Sequence, residues 1–73
     1  MRRYPDRSGE SGVEAYELCP DAVLVRFRDN DRVYRYSHRT AGRDKVDEMK
    51  RLALAGRGLA TFISRHASDL YER

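Results

Sequence analysis

The chain has little of what several protein classes require. Its 73 residues include no tryptophan and only one cysteine, Cys19. One cysteine cannot form an internal disulfide, which excludes the disulfide frameworks of small secreted domains and favours a cytoplasmic protein. Apolar runs are short, and none approaches the roughly 20 residues that a membrane-spanning helix needs. We therefore expect one small domain with no membrane partner.

Lysine is also scarce, since the chain has two lysines against thirteen arginines, and its formal net charge is +3. The basic excess is local. Between residues 22 and 43 the only acids are Asp29 and Asp31. Such asymmetry favours an anionic partner on one side of the molecule. The candidate nucleic-acid-binding residues are the six arginines of this segment: Arg26, Arg28, Arg32, Arg35, Arg39 and Arg43.

Residues 23–28 and 32–37 alternate between apolar and polar side chains, which predicts two strands of a β-hairpin. A two-residue turn at Asn30 and Asp31 would place Val25 opposite Tyr36 and Phe27 opposite Tyr34 on an apolar face. On the other face, Arg26 would then lie opposite Arg35. A three-residue loop would instead exchange the two faces, so the pattern leaves the register open.

The rest of the chain predicts an α+β fold, with a three-stranded antiparallel sheet followed by two helices packed on one face. Residues 1–11 lack periodicity and are predicted to be a disordered lead to a single domain over residues 12–73. The first strand is predicted at residues 12–19, with Val13 and Ala15 on one face and Tyr16 and Leu18 on the other. Helical spacing predicts helices at residues 44–55 and from residue 59 to about 71, separated by a bend at residues 56–58.

Three local signals refine the helices. Asp44, or Thr40 slightly earlier, is predicted to be the N-cap of the first helix after a polar connection at residues 38–42. Gly56 is the expected stop at its C-terminus. His66 falls on the apolar stripe of the second helix, so we expect a partly buried packing histidine.

The segments Val25-Arg-Phe27 and Val33-Tyr-Arg-Tyr36, followed by a small-residue turn and an aromatic-bearing helix at residues 54–63, resemble the KTSC domain. This family is named after the carboxyl-terminal segment of some lysyl-tRNA synthetases. The resemblance covers roughly residues 12–71. It implies a small stand-alone domain for which RNA binding has been suggested, and it implies no catalytic residues.

Guanidinium groups bind phosphates in a bidentate manner and stack on bases. The face of the hairpin that carries Arg26, Arg28 and Arg35 is therefore the favoured binding surface. The competing interpretation is a solvated sheet face whose arginine stems cover Leu24 and Val33. Tyr34 and Tyr36 allow two interpretations as well, a stacking platform for RNA bases or part of the core. We expect them in the core.

Evidence for catalysis is weak. His38 lies among arginines but lacks a paired base, and Cys19, His38 and His66 show no metal-ligand spacing. We predict no enzyme, no catalytic residues, no metal and no cofactor. The predicted function is a small module that binds nucleic acid, with RNA preferred over DNA. The alternative is a protein-interaction module that pairs through an edge strand or forms a homodimer, with Tyr16 and Leu18 of the first strand exposed.

Overall fold

The computed structural model describes residues 1–5, 12–28 and 31–72. These residues form one antiparallel sheet in the order β1-β2-β3-β4, followed by helices. The strands are β1 (Arg2–Arg3), β2 (Val13–Cys19), β3 (Ala22–Phe27) and β4 (Val33–Ser37). The helices are α1 (His38–Ala41), α2 (Arg43–Ala55) and α3 (Leu59–Phe62), and α3 continues into the π-helical segment Ile63–Ala67. The α+β class is confirmed, and the predicted three strands are corrected to four.

The additional strand, β1, comes from the segment that was predicted to be a disordered lead. Tyr4 directly after it is only 2% exposed. Its backbone N–H donates to the carbonyl of Glu14 at 2.9 Å, and its ring meets Tyr16 edge-to-face at 6.4 Å. Its hydroxyl accepts the backbone N–H of Leu59 at 3.4 Å. One buried aromatic side chain therefore holds this segment on the sheet. Residues 6–11 of the predicted lead lie outside the described residues.

A β-bulge in β2 changes which of its side chains share a face. The pairing is irregular between Val13 and Ala15, and Glu14 is the extra residue. Val13 consequently lies on the same face as Tyr16 and Leu18, and Val13 and Tyr16 are buried. The strict alternation assumed from the sequence was wrong at this point, and so was the expectation that Tyr16 and Leu18 lie outside the helix-covered face. Leu18 packs against the core.

The register of β3 against β4 differs by two residues from the predicted one. Val25 lies opposite Tyr34, and Val23 lies opposite Tyr36. Because side chains alternate with a period of two, this even shift keeps the aromatic residues on the predicted face. Tyr36 is 1% exposed, which confirms its place in the core, and Tyr34 is partly buried.

On the opposite face the shift separates the two arginines that were expected to be directly paired. Arg26 lies opposite Val33, and Arg35 lies opposite Leu24. The predicted Arg26–Arg35 cross-strand pair is therefore wrong. The observed register avoids the repulsion of like charges in adjacent positions. Asp29 and Asn30 of the predicted turn lie outside the described residues.

The core lies between the helices and one side of the sheet, which we call the inner face. Val13, Tyr16, Val23, Val25 and Tyr36 are its buried members, with Leu18, Phe27 and Tyr34 partly buried. The opposite side is the outer face, and it carries Arg3, Ala15, Glu17, Leu24, Arg26, Val33 and Arg35. Helix α2 contributes Val46, Met49 and Ala53 to the core. No helix within the described ranges has both the length and the hydrophobicity to cross a bilayer.

The residues predicted as a polar connection, 38–42, mostly form α1. Ser37 caps it through a capping box with Thr40, whose backbone N–H donates to the Ser37 hydroxyl at 3.2 Å. Thr40 therefore stabilises α1 and does not cap α2. Helix α2 ends as predicted at Gly56, which has the left-handed conformation (φ 77°) and whose N–H donates to the carbonyl of Leu52 at 2.9 Å.

The last helix buries Leu59, Ile63 and Ala67, which are spaced by four residues. His66 is exposed, so its predicted packing role was wrong. The predicted stripe assumed α-helical spacing throughout, whereas the widened π-helical turn changes the side-chain directions after Ile63. The helix ends at Ala67 and not near Tyr71.

Replacing Tyr4 by alanine tests whether the N-terminal segment belongs to the fold. We expect Tyr4→Ala to lower the free energy of unfolding by about 3–5 kcal/mol, because it empties a buried aromatic site. A chain of this size has only about 4–11 kcal/mol in total, so the midpoint of urea unfolding will fall sharply. Tyr4→Phe keeps the ring but removes the hydroxyl that accepts the Leu59 N–H, and it is expected to cost about 1 kcal/mol. The exposed Pro5→Ala is the neutral control, and equal stability of Tyr4→Ala and Pro5→Ala would contradict the structure.

Candidate nucleic-acid interface

The outer face brings three arginines from different parts of the chain to one place. Arg3 lies opposite Ala15, and Ala15 lies opposite Arg26, so one row across the sheet carries both arginines. Arg28 directly follows β3, where its backbone N–H donates to the carbonyl of Gly12 at 2.8 Å. We call Arg3, Arg26 and Arg28 the arginine cluster.

The arginine cluster surrounds a shallow concavity of about 670 Å³. Among the described residues that line it, three carry guanidinium groups and one, Glu14, carries a carboxylate. Ala15 also lines it, and its side chain is small. The concavity can therefore receive an anionic group between several cations.

Glu14 partly neutralises the cluster. The bulge in β2 places it beside Arg26, whose Nη2 donates to Glu14 Oε2 at 2.5 Å. Both side chains are about two-fifths exposed, at 41% and 43%. Exposed ion pairs of this kind contribute only about 0.2–1 kcal/mol. Such a pair can open at little cost when a phosphate approaches Arg26.

Arg35 lies outside the arginine cluster, and its guanidinium group is paired with two carboxylates. Its guanidinium contacts Glu72 at 3.0 Å and Asp21 at 3.3 Å. Partial desolvation would lower the pKa of Arg35, but the charges of Glu72 and Asp21 outweigh it and raise the pKa. Its carbonyl also accepts the backbone N–H of Glu72 at 2.7 Å. Two carboxylates face one cation here, so Arg35 holds the C-terminal segment against β4.

Arg32 does not contribute to the outer face. Its guanidinium carbon lies over the ring of Tyr34 at 5.1 Å and over the ring of Tyr71 at 5.5 Å. These distances are typical of cation–π contacts. Arg32 therefore lies with the aromatic residues that line the inner face.

The last two predicted arginines lie on helices. Arg39 is exposed on α1 and forms no ion pair with any other described residue. Arg43 is 80% exposed on α2, and its Nε lies 3.7 Å from Asp47 Oδ2. Neither residue lines the concavity of the arginine cluster. The six predicted arginines thus belong to several separate surfaces, and only Arg26 and Arg28 lie together.

Sequence reasoning missed Arg3 and Glu14. Arg3 belongs to a segment without periodicity, and only the neighbouring Tyr4 signalled an anchor there. The bulge that directs Glu14 toward Arg26 has no marker in the sequence, because no glycine interrupts β2.

The sheet edges bear on the alternative of strand pairing with a partner. Strand β2, the predicted edge, lies between β1 and β3. Strand β1 has only two residues. On β4 the carbonyl of Arg35 accepts the Glu72 N–H, and the N–H of Ser37 donates to Thr40 Oγ1 at 3.2 Å. Short or already bonded edges are the usual protection against strand addition.

The histidines and the cysteine do not form a common site among the described residues. His38 is partly buried, and its Nε2 has no hydrogen-bond partner among the described residues. The carbonyl of Cys19 accepts Lys50 Nζ at 2.6 Å, which ties the β2–β3 turn to α2. Within the described ranges, no group of three or more histidine, cysteine or acidic residues is placed to hold a metal ion.

The burial of Tyr36 gives a test of the aromatic packing through pH. Burial raises the pKa of Tyr36 to about 12, and Tyr34 and Tyr71 add to the shift. An unfolded tyrosine ionises near pH 10. The folded state therefore keeps the Tyr36 proton to a higher pH than the unfolded state does. The stabilisation from the protonated Tyr36 hydroxyl is intact below pH 10 and is lost between about pH 10 and 12.

We expect the wild type to lose roughly 1 kcal/mol more than Tyr36→Phe between pH 8 and pH 11. Urea unfolding of both proteins at the two pH values measures this difference. An identical pH dependence would contradict the buried position of the Tyr36 hydroxyl.

Comparisons of the chain with protein-family models, with curated proteins and with solved structures find no match. The resemblance to the KTSC domain stays a prediction.

Proposed function

We propose that this protein is a small non-enzymatic module that binds RNA by contacts between the arginine cluster and backbone phosphates. The supporting observation is the convergence of Arg3, Arg26 and Arg28 on one concavity with a single carboxylate among its described lining residues. The preference for RNA over DNA rests on the resemblance to the KTSC domain. The single cysteine supports a cytoplasmic location.

Phosphate contacts determine what kind of binding this is. Guanidinium groups recognise phosphate oxygens with little regard to base sequence. Each phosphate neutralised releases counterions, so affinity falls as salt rises. The proposed binding is therefore modest, tolerant of sequence and strongly salt dependent.

The interface proposed here is narrower than the six arginines predicted from the sequence. Arg35 is excluded because Glu72 and Asp21 already neutralise it. Arg39 and Arg43 are excluded because they do not line the concavity. Arg3 replaces them, since β1 brings it into the row of Arg26.

Removing the cluster's charge tests the proposal. We expect the triple variant of Arg3, Arg26 and Arg28 to glutamine to bind a single-stranded RNA oligonucleotide about ten-fold or more weakly at low salt. The slope of log affinity against log salt concentration should lose about 2 in magnitude, since each single-strand phosphate contact contributes about 0.7. Fluorescence anisotropy over a salt series measures both quantities.

The matched control changes Arg39, Arg43 and Arg57 to glutamine, which removes the same net charge from exposed positions elsewhere. This variant should keep most of the affinity and the slope. Equal losses in the two variants would mean that only the overall charge matters, and the proposed interface would then be wrong. A DNA oligonucleotide of the same sequence tests the preference for RNA. A salt-insensitive dimer in size exclusion, with no RNA binding, would favour the alternative of protein interaction.

A further inference from the structure

The β-bulge in β2 brings the carboxylate of Glu14 into the concavity of the arginine cluster. Ala15 lies opposite Arg26, and the residue before it, Glu14, is the extra residue of the bulge. The two residues therefore share one partner on β3. Bulges change the direction of a side chain at such a position. The carboxylate of Glu14 consequently meets the guanidinium group of Arg26 inside the proposed binding site.

The contact between Glu14 and Arg26 uses the part of the guanidinium group that a phosphate needs. Within the described part of the chain, the two side chains are each other's only ion-pair partners, and Glu14 Oε2 accepts from Arg26 Nη2 at 2.5 Å. A guanidinium group offers two edges for bidentate binding, Nε with Nη2 and Nη1 with Nη2, and Nη2 belongs to both. The carboxylate therefore occupies one edge and places its negative charge beside the other.

The backbone of Glu14 is fixed, whereas its side chain is able to move. Its carbonyl accepts the backbone N–H of Tyr4 at 2.9 Å, and Tyr4 is 2% exposed. The side chains of Arg26 and Glu14 are 41% and 43% exposed, so both reach water when the pair opens. Rotamers of exposed side chains exchange within picoseconds to nanoseconds. The carboxylate can thus leave Arg26 without any movement of β2.

We infer that Glu14 is an internal competitor for Arg26, which holds its guanidinium group in the unliganded protein and is displaced by the incoming phosphate group. The inference rests on the proposed function, because it concerns the same arginine cluster, and it adds the residue that limits the affinity of that site. The site then has two states. In the closed state Glu14 neutralises Arg26, and in the open state Arg26 contacts phosphate while the carboxylate of Glu14 is in water.

Removing the negative charge of Glu14 tests the competition. Binding of RNA to the wild type includes the cost of opening the pair, and Glu14→Gln removes most of this cost. The strength of exposed ion pairs corresponds to a factor of about 1.4 to 5 in affinity. We therefore expect Glu14→Gln to bind the single-stranded RNA oligonucleotide tighter by this factor at low salt, as measured by fluorescence anisotropy. Weaker binding by the variant would show that Glu14 positions Arg26 for the ligand and would overturn the inference.

A double-mutant cycle separates competition from a general effect of charge. In an Arg26→Gln background there is no guanidinium group to compete for, so the addition of Glu14→Gln should give little or no gain. The matched control is Glu48→Gln on α2, which breaks a pair of the same kind, between Glu48 Oε2 and Arg51 Nη2 at 2.5 Å. Glu48 does not line the concavity, so this variant should bind like the wild type. Equal gains from the two single variants, or an equal gain with and without Arg26, would contradict the inference.

Two further readouts separate this inference from the proposed function. If the triple variant of Arg3, Arg26 and Arg28 loses RNA binding while Glu14→Gln binds like the wild type, the inference is wrong and the proposed function stands. Inorganic phosphate probes the competition without RNA, through the NMR signal of the Arg26 Nε–H. If RNA binding does not depend on the arginine cluster, but phosphate shifts this signal at lower concentration in Glu14→Gln than in the wild type, the proposed function is wrong and the inference stands.

Discussion

The register of β3 against β4 is the constraint on which the surface of this protein depends. With Val25 opposite Tyr34, the aromatic side chains gather on the inner face and the arginines on the outer face are staggered. Arg35 then lies next to Asp21 and Glu72, while the bulge in β2 places Glu14 next to Arg26. A register moved by two residues would keep both faces but would place the two arginines side by side. The favoured pairing is thus the one in which packing and charge agree.

The ion pairs of Arg35 give it a structural role that differs from the role proposed for the arginine cluster. Arg35 is surrounded by acids and fastens the C-terminal segment, which in turn places Tyr71 against Tyr34 and Tyr36. Arg35 therefore helps to hold Tyr71 against the aromatic residues of the inner face. Among the described residues that line the concavity of the arginine cluster, Glu14 is the one carboxylate beside three guanidinium groups. The arginines predicted to share one face are therefore divided between the ion-paired Arg35 and the arginine cluster around the concavity.

The sequence predicted most features that follow from local patterning. Alternation identified β3, β4 and the faces of their side chains, and helical spacing with Gly56 identified α2. The features it missed depend on contacts between distant residues. Tyr4 is ordered by Tyr16 and Leu59, and Leu59 is far away in sequence. The bulge at Glu14 and the π-helical segment each shift the side-chain pattern by part of a period. The bulge brings Tyr16 and Leu18 onto the inner face together with Val13, and the π-helical segment leaves His66 exposed. For the site, Arg26 and Arg28 were identified as neighbours, but the acids that neutralise Arg35 belong to other segments.

Strand β3 separates two surfaces of different chemistry, because Phe27 and Arg28 are consecutive residues that face opposite sides. On the inner face, Phe27 packs with Tyr34, and Tyr34 packs with Tyr71, so these aromatic rings serve the packing of the fold. On the outer face, the guanidinium groups of the arginine cluster line the concavity. Phosphate contacts of the kind proposed for this cluster give affinity without register along a strand. Such contacts require charge at a defined place and little buried area, which suits a small domain whose core leaves no room for a deep cleft.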